Sequence, residues 1–137
     1  MIEIFGISLT VEYAMQLVVT AFLAALFLQS GLDKLFDWRG NIQYLTEHFA
    51  KSFLSPFVTP MLTVITVLEV AAGIACGYGL IVLLIWRSTK WALWGTLLAG
   101  VNILFLFTGQ RINKDYVGAA VLVNYFLLVL AGLYILT

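Results

Sequence analysis

Three stretches of this chain run for a full membrane width without a charged side chain. They are Tyr13–Leu32, Trp91–Gln110 and Tyr116–Thr137. Between Lys51 and Arg87 there is a fourth, interrupted only by Glu69. About 20 apolar residues, rising about 1.5 Å each, cross a hydrocarbon core of about 30 Å. The pattern predicts four spanning helices, at about 11–32, 58–86, 90–109 and 116–136. Helices are required because lipid offers no partner for an unpaired backbone group. The alternation of apolar and polar positions that marks a membrane strand is absent.

The connections differ in kind. "RSTK", residues 87–90, is too short for anything but an antiparallel turn between spans two and three. Trp86, Trp91 and Trp94 flank it as an interfacial belt would. The longer connection between spans one and two contains "NIQYLTEHFAKSF", with Ile42, Leu45 and Phe49 on one side and Gln43, Glu47 and Lys51 on the other. This predicts a short amphipathic helix with Asn41 as its N-cap, lying in the interface or over the bundle mouth. Pro60 suits the first turn of span two. That span is long enough to tilt, to project, or to loosen at "CGYG", residues 76–79. The expectation is one all-α domain over 1–137, an integral membrane four-helix bundle with a short amphipathic helix between spans one and two.

Composition sharpens this. Of 137 residues 63% are hydrophobic and 10% charged, and the mean hydropathy is +1.05. A soluble domain is about 25% charged. The leading segment carries Glu3 and Glu12 and no basic residue, unlike a cleaved signal peptide. Seven basic and seven acidic residues give no argument for a nucleic-acid partner. The single cysteine, Cys76, excludes a disulfide relay within the chain. There is no phosphate-binding glycine loop and no His/Cys cluster spaced for a metal.

Glu69 is the sharpest candidate. It lies well inside the hydrocarbon depth, where a carboxylate costs about 2.5–3.5 kcal/mol on insertion scales and usually faces the bundle interior. Thr59, Thr63, Thr66, Gly73 and Gly77 form a small and polar stripe on its helix. Three readings stand open: an ion pair or hydrogen bond that fixes the packing, a ligand or proton site, or exposure at the interface. Lys34, just beyond span one, and Arg111, just beyond span three, are the candidate partners.

The segment "GQRINKDY", residues 109–116, carries the other charges. Gly109 is expected to end span three as its C-cap, and Asp115 to cap span four. Arg111 is expected to turn inward, into one polar cluster with Lys34 and Glu69; Lys114 is expected to be solvated. Basic residues count five on this side (Lys34, Arg39, Lys51, Arg111, Lys114) against Arg87 and Lys90, which favours both termini outside.

"FLQSGLDKLFD", "VLEVAAGIACGYGL" and "GQRINKDYVGAAVLVNYF" together resemble the DoxX family of small bacterial membrane proteins. The resemblance covers nearly the whole chain. It implies a four-helix bundle in the bacterial cytoplasmic (inner) membrane. Lys34 and Glu69 match the family lysine and glutamate; Arg111 and Asp115 match a polar segment before span four. The family name comes from a subunit of a thiosulfate:quinone oxidoreductase. The resemblance therefore implies a non-catalytic accessory subunit of a membrane redox assembly, not an enzyme by itself, with other redox subunits as partners and a quinone or lipid as ligand. The alternative is a structural or assembly subunit of an unrelated membrane complex. Where relatives use paired cysteines this chain has Cys76 alone, which argues against a disulfide-handling role.

Overall fold

The structure, a computed structural model, describes residues 2–4 and 7–137, with side chains from Thr10 onward. A small antiparallel hairpin, β1 (Ile2–Ile4) with β2 (Ile7–Leu9), precedes the helices. Then follow α1 (Val11–Phe36), α2 (Trp38–His48), a 3-10 turn at Ser55–Phe57, α3 (Val58–Trp86), α4 (Lys90–Ile112) and α5 (Tyr116–Leu136). Four of these helices, all but α2, are long and apolar enough to cross a membrane. Beyond the hairpin, which the sequence expectation did not include, the chain is a four-span helical bundle with a short helix between spans one and two.

Local chemistry sets several of the ends. Thr10 caps α1 by accepting from the Tyr13 N–H at 3.0 Å. Asp115 caps α5 by accepting from the Gly118 N–H at 3.0 Å, and its charge meets the positive helix end. Three boundaries differ from the sequence expectation, the first being α1, which runs on to Phe36. α2 starts at Trp38, so Asn41 lies inside it and bonds back to the Asp37 carbonyl. α4 runs through Gly109 to Ile112, and the turn is made by Lys114, at φ 62°. Gly109 and Gln110 still have carbonyls to satisfy, and the N–H groups of Asn113 and Asp115 do so. α3 is unbroken through residues 76–79.

α3 is the centre of the bundle, packed against α1 on one side and α4 on the other; α5 packs on α4 and touches α1 more lightly. The α3–α4 approach is close enough to require glycine. A Cβ added at Gly95 would sit 2.6 Å from the Cys76 sulfur and 2.7 Å from its nitrogen. Such approach is how helices associate where lipid supplies no hydrophobic drive between them. Leu23, Phe27, Leu62, Ala72, Leu83 and Ala99 fill the interior.

On α3 the buried face follows Leu62, Thr66, Glu69, Gly73 and Cys76. Thr59 and Thr63 fall one step off it and are exposed, Thr63 donating to the Thr59 carbonyl at 2.8 Å. The expected polar stripe therefore holds in its middle and not at its start. Away from the charged loops, the Tyr13 hydroxyl donates to the Leu83 carbonyl at 2.7 Å, and Arg87 covers the Tyr13 ring at 4.4 Å. These contacts clamp the start of α1 to the end of α3.

Candidate functional site

α1 extends four residues past its expected end, and this places Lys34 one helical turn after Ser30 on the same face. That face meets Glu69. The Lys34 ammonium lies 2.9 Å from Glu69 Oε2, with side chains 18% and 3% exposed respectively. Lys34 also donates to Ser30 Oγ at 3.0 Å, and the Ser30 hydroxyl donates to the same Glu69 oxygen at 3.1 Å. α4 closes the cluster: Asn102 Nδ2 donates to Glu69 Oε1 at 3.4 Å. Three helices thus converge on one carboxylate inside an apolar bundle.

The electrostatics follow from burial. A carboxylate withdrawn from water loses its hydration, and the pair offsets that loss only with close geometry and further hydrogen bonds. Glu69 has both. Asn102 is fully buried, and its Oδ1 has no partner among the described residues. Its amide is oriented with nitrogen toward the carboxylate, since two acceptors facing each other would repel. The cluster therefore contains three donors to Glu69 and one spare acceptor.

A second polar group sits at the mouth of the bundle on the same side. His48 Nε2 lies 3.2 Å from Asp115 Oδ2 and 3.0 Å from Gln110 Oε1. Asn113 Nδ2 donates to the His48 carbonyl at 2.9 Å. Tyr44 stacks on the His48 ring and Phe49 meets it edge-on. This clasp holds the end of α2 to the α4–α5 turn.

The structure brings Lys34 and Glu69 together and sets Arg111 and Asp115 elsewhere. Asp115 serves α5 and His48. Arg111 is exposed, its guanidinium over the Tyr116 ring at 4.5 Å. Helical period explains this. Because α4 continues past Gly109, Arg111 remains on the helix, nine residues after Asn102; at about 100° per residue the two point to opposite faces. Ser30, Asn102 and His48 join these groups without having been singled out as their partners by the sequence. The signal for Ser30 was its spacing of four from Lys34. For His48 there was none beyond its position near the end of an amphipathic pattern.

Among the described residues, no group of three or more His, Cys, Asp or Glu is arranged to hold a metal. An apolar groove runs between α1 and α5, lined by Val11, Met15, Val18, Phe22, Leu128 and Ile135 among others.

The DoxX family model matches residues 15–107, from α1 to near the end of α4. The chain belongs to the DoxX family. The match includes every member of the buried cluster, Ser30, Lys34, Glu69 and Asn102, and stops short of Arg111, Asp115 and α5. No curated protein and no solved structure matches the chain. This DoxX protein is an integral membrane protein whose family-matched part carries the buried ion pair.

Proposed function

We propose that this DoxX protein is a non-catalytic accessory subunit of a membrane redox assembly in the bacterial cytoplasmic membrane, binding a quinone or lipid along its helices. The observation that carries this reading is the Lys34–Glu69 pair, buried between α1 and α3 with Ser30 and Asn102 around it. A buried ion pair is a poor way to stabilise a bundle, because apolar side chains of similar volume do as well or better. Ionisable groups at membrane depth mark ligand, ion or proton sites. The resemblance in the segments around Lys34 and Glu69 supports the redox setting.

Two separate features support such a ligand, the groove at the start of α1 and the cluster at its end. The groove between α1 and α5 suits an acyl or isoprenoid chain. Lys34, the partly exposed donor of the buried cluster, would hold a carbonyl. Such a group when bound would supply the electron chemistry; the chain's residues would bind and orient it.

A structural or assembly role in an unrelated membrane complex is the second reading, favoured by the largely outward-facing surface of α5. Purification from native membranes in mild detergent, with identification of co-purifying proteins and extracted lipids, separates the two. The expected result is redox subunits and quinone with the native chain, and loss of both with the double variant Lys34→Met/Glu69→Leu, which removes the charges together. Recovery of a complex with no redox enzyme favours the second reading. Undiminished recovery of redox partners with the double variant removes the ion pair from the proposal.

A further inference from the structure

The outward face of α5 carries a regular seam. Val117, Ala120, Asn124, Leu127, Ala131 and Tyr134 follow one another at alternating steps of three and four, and each is exposed. Val117 is 80% exposed, Leu127 58% and Tyr134 84%. That spacing averages 3.5 residues, the period at which two helices keep contact along a left-handed crossing of about 20°. Ala120 and Ala131 are small enough to let a second helix approach. Tyr116, Val117, Ala120, Val121 and Asn124 line a shallow groove at its start.

Asn124 is what the bundle itself leaves unexplained. It is the ninth of the 21 residues of α5, about 12 Å along a helix of about 31 Å, so it lies near mid-membrane. Its amide has no hydrogen-bond partner among the described residues and faces outward. Lipid tails offer none either, and an amide left without partners in hydrocarbon is costly.

We propose that α5 is a homodimer interface, with Asn124 bonded to Asn124 of a second copy. The occupant follows from the chemistry. An amide carries both donors and an acceptor, so it is complementary to itself. For two copies inserted with the same orientation, a twofold axis along the membrane normal makes the two α5 helices parallel. The same residue then meets its equivalent at the same depth. The seam carries no charge, so it asks for no oppositely charged partner. A single polar residue within an apolar 3.5-residue seam also selects register and partner number. This inference does not rest on the redox reading, although Ala131 borders both the seam and the α1–α5 groove.

The test uses the full chain in phosphatidylcholine vesicles, with subunit counting by single-molecule photobleaching over a range of dilutions. A dimer is expected, and Asn124→Leu should weaken it about three- to thirty-fold, the range interhelical polar bonds give in membranes. Thermal unfolding of Asn124→Leu at high dilution should match the native chain, because the amide bonds nothing in its own chain. Oxidative cross-linking maps the face with Asn124 in place: Val117→Cys, Ala120→Cys and Leu127→Cys should each form dimers. Phe126→Cys, exposed on the far side of α5, should not; Cys76 is buried and stays as an internal control. A native chain monomeric at every dilution, an unchanged dimer in Asn124→Leu, or stronger cross-linking at 126 than at 117 and 120 overturns the proposal.

Discussion

Glu69 and Asp115 are both carboxylates, both paired with a nitrogen base and both set on the loop side of the bundle, yet they are held by different physics. Glu69 is 3% exposed and accepts from three side chains on two neighbouring helices. Asp115 is 28% exposed and divides its oxygens between a helix cap and His48. Water screens the second pair and not the first. Removing a partner from Glu69 strands a charge where nothing else can solvate it, whereas a charge exposed at Asp115 is hydrated again at small cost. The same residue chemistry is thus a structural commitment in one place and an adjustable clasp in the other.

The largest expected effect is at the buried pair. Lys34→Met should lower unfolding stability in detergent by about 3–5 kcal/mol, and Lys34→Met/Glu69→Leu should recover most of it. Thermal or denaturant unfolding of the single and double variants decides this. Simple additivity would show that the two charges act independently and would erase the contrast with Asp115.

At the rim, Asp115→Ala removes a cap and a pairing group together, and should cost about 1–2 kcal/mol. Asp115→Asn should keep most of the cap. A double-mutant cycle with His48→Ala should give a coupling below about 1 kcal/mol. With His48 protonated, that coupling should fall as ionic strength rises, whereas the coupling of Lys34 with Glu69 should not. A His48–Asp115 coupling as large and as salt-insensitive as the buried one would mean that the mouth is closed to water in the assembled protein.

The smallest effects are expected outside both clusters. Arg111→Lys should change stability by less than about 1 kcal/mol, the value of an exposed cation–ring contact. Lys114→Arg should fall within about 0.5 kcal/mol. Should Arg111→Lys abolish co-purification of partners while Lys114→Arg leaves it intact, Arg111 joins the functional site through a contact with another chain rather than through Glu69.

Much of this molecule was legible as text. Charge-free runs predicted the four spans, because crossing hydrocarbon is a condition on length and polarity that each segment meets alone. The four residues of "RSTK" made α3 and α4 antiparallel neighbours, since so short a link permits little else. Asp115 announced its own cap, for the hydrogen bond it makes is three residues away. Glu69 was legible as a buried group because its depth follows from counting residues along α3. Each of these is decided within one helix or one turn.

The choice of partners was decided only by the tertiary structure. Lys34 and Arg111 were equal candidates for Glu69, and the sequence contains no distance between helices. α1 runs on to Phe36 and turns Ser30 and Lys34 to α3; α4 runs on to Ile112 and turns Arg111 away from Asn102. A few residues of added helix rotate a side chain to another face, and the rotation each helix adopts depends on contacts summed along its length with all its neighbours. Close approach at Gly95 and Cys76 sets the α3–α4 distance, and with it whether Asn102 reaches Glu69. The existence of the four spans and the Asp115 cap are properties of local chain chemistry, so the sequence alone determined them; where α1 and α4 end and which charges meet are properties of how four helices settle against one another, and only the folded bundle decides them.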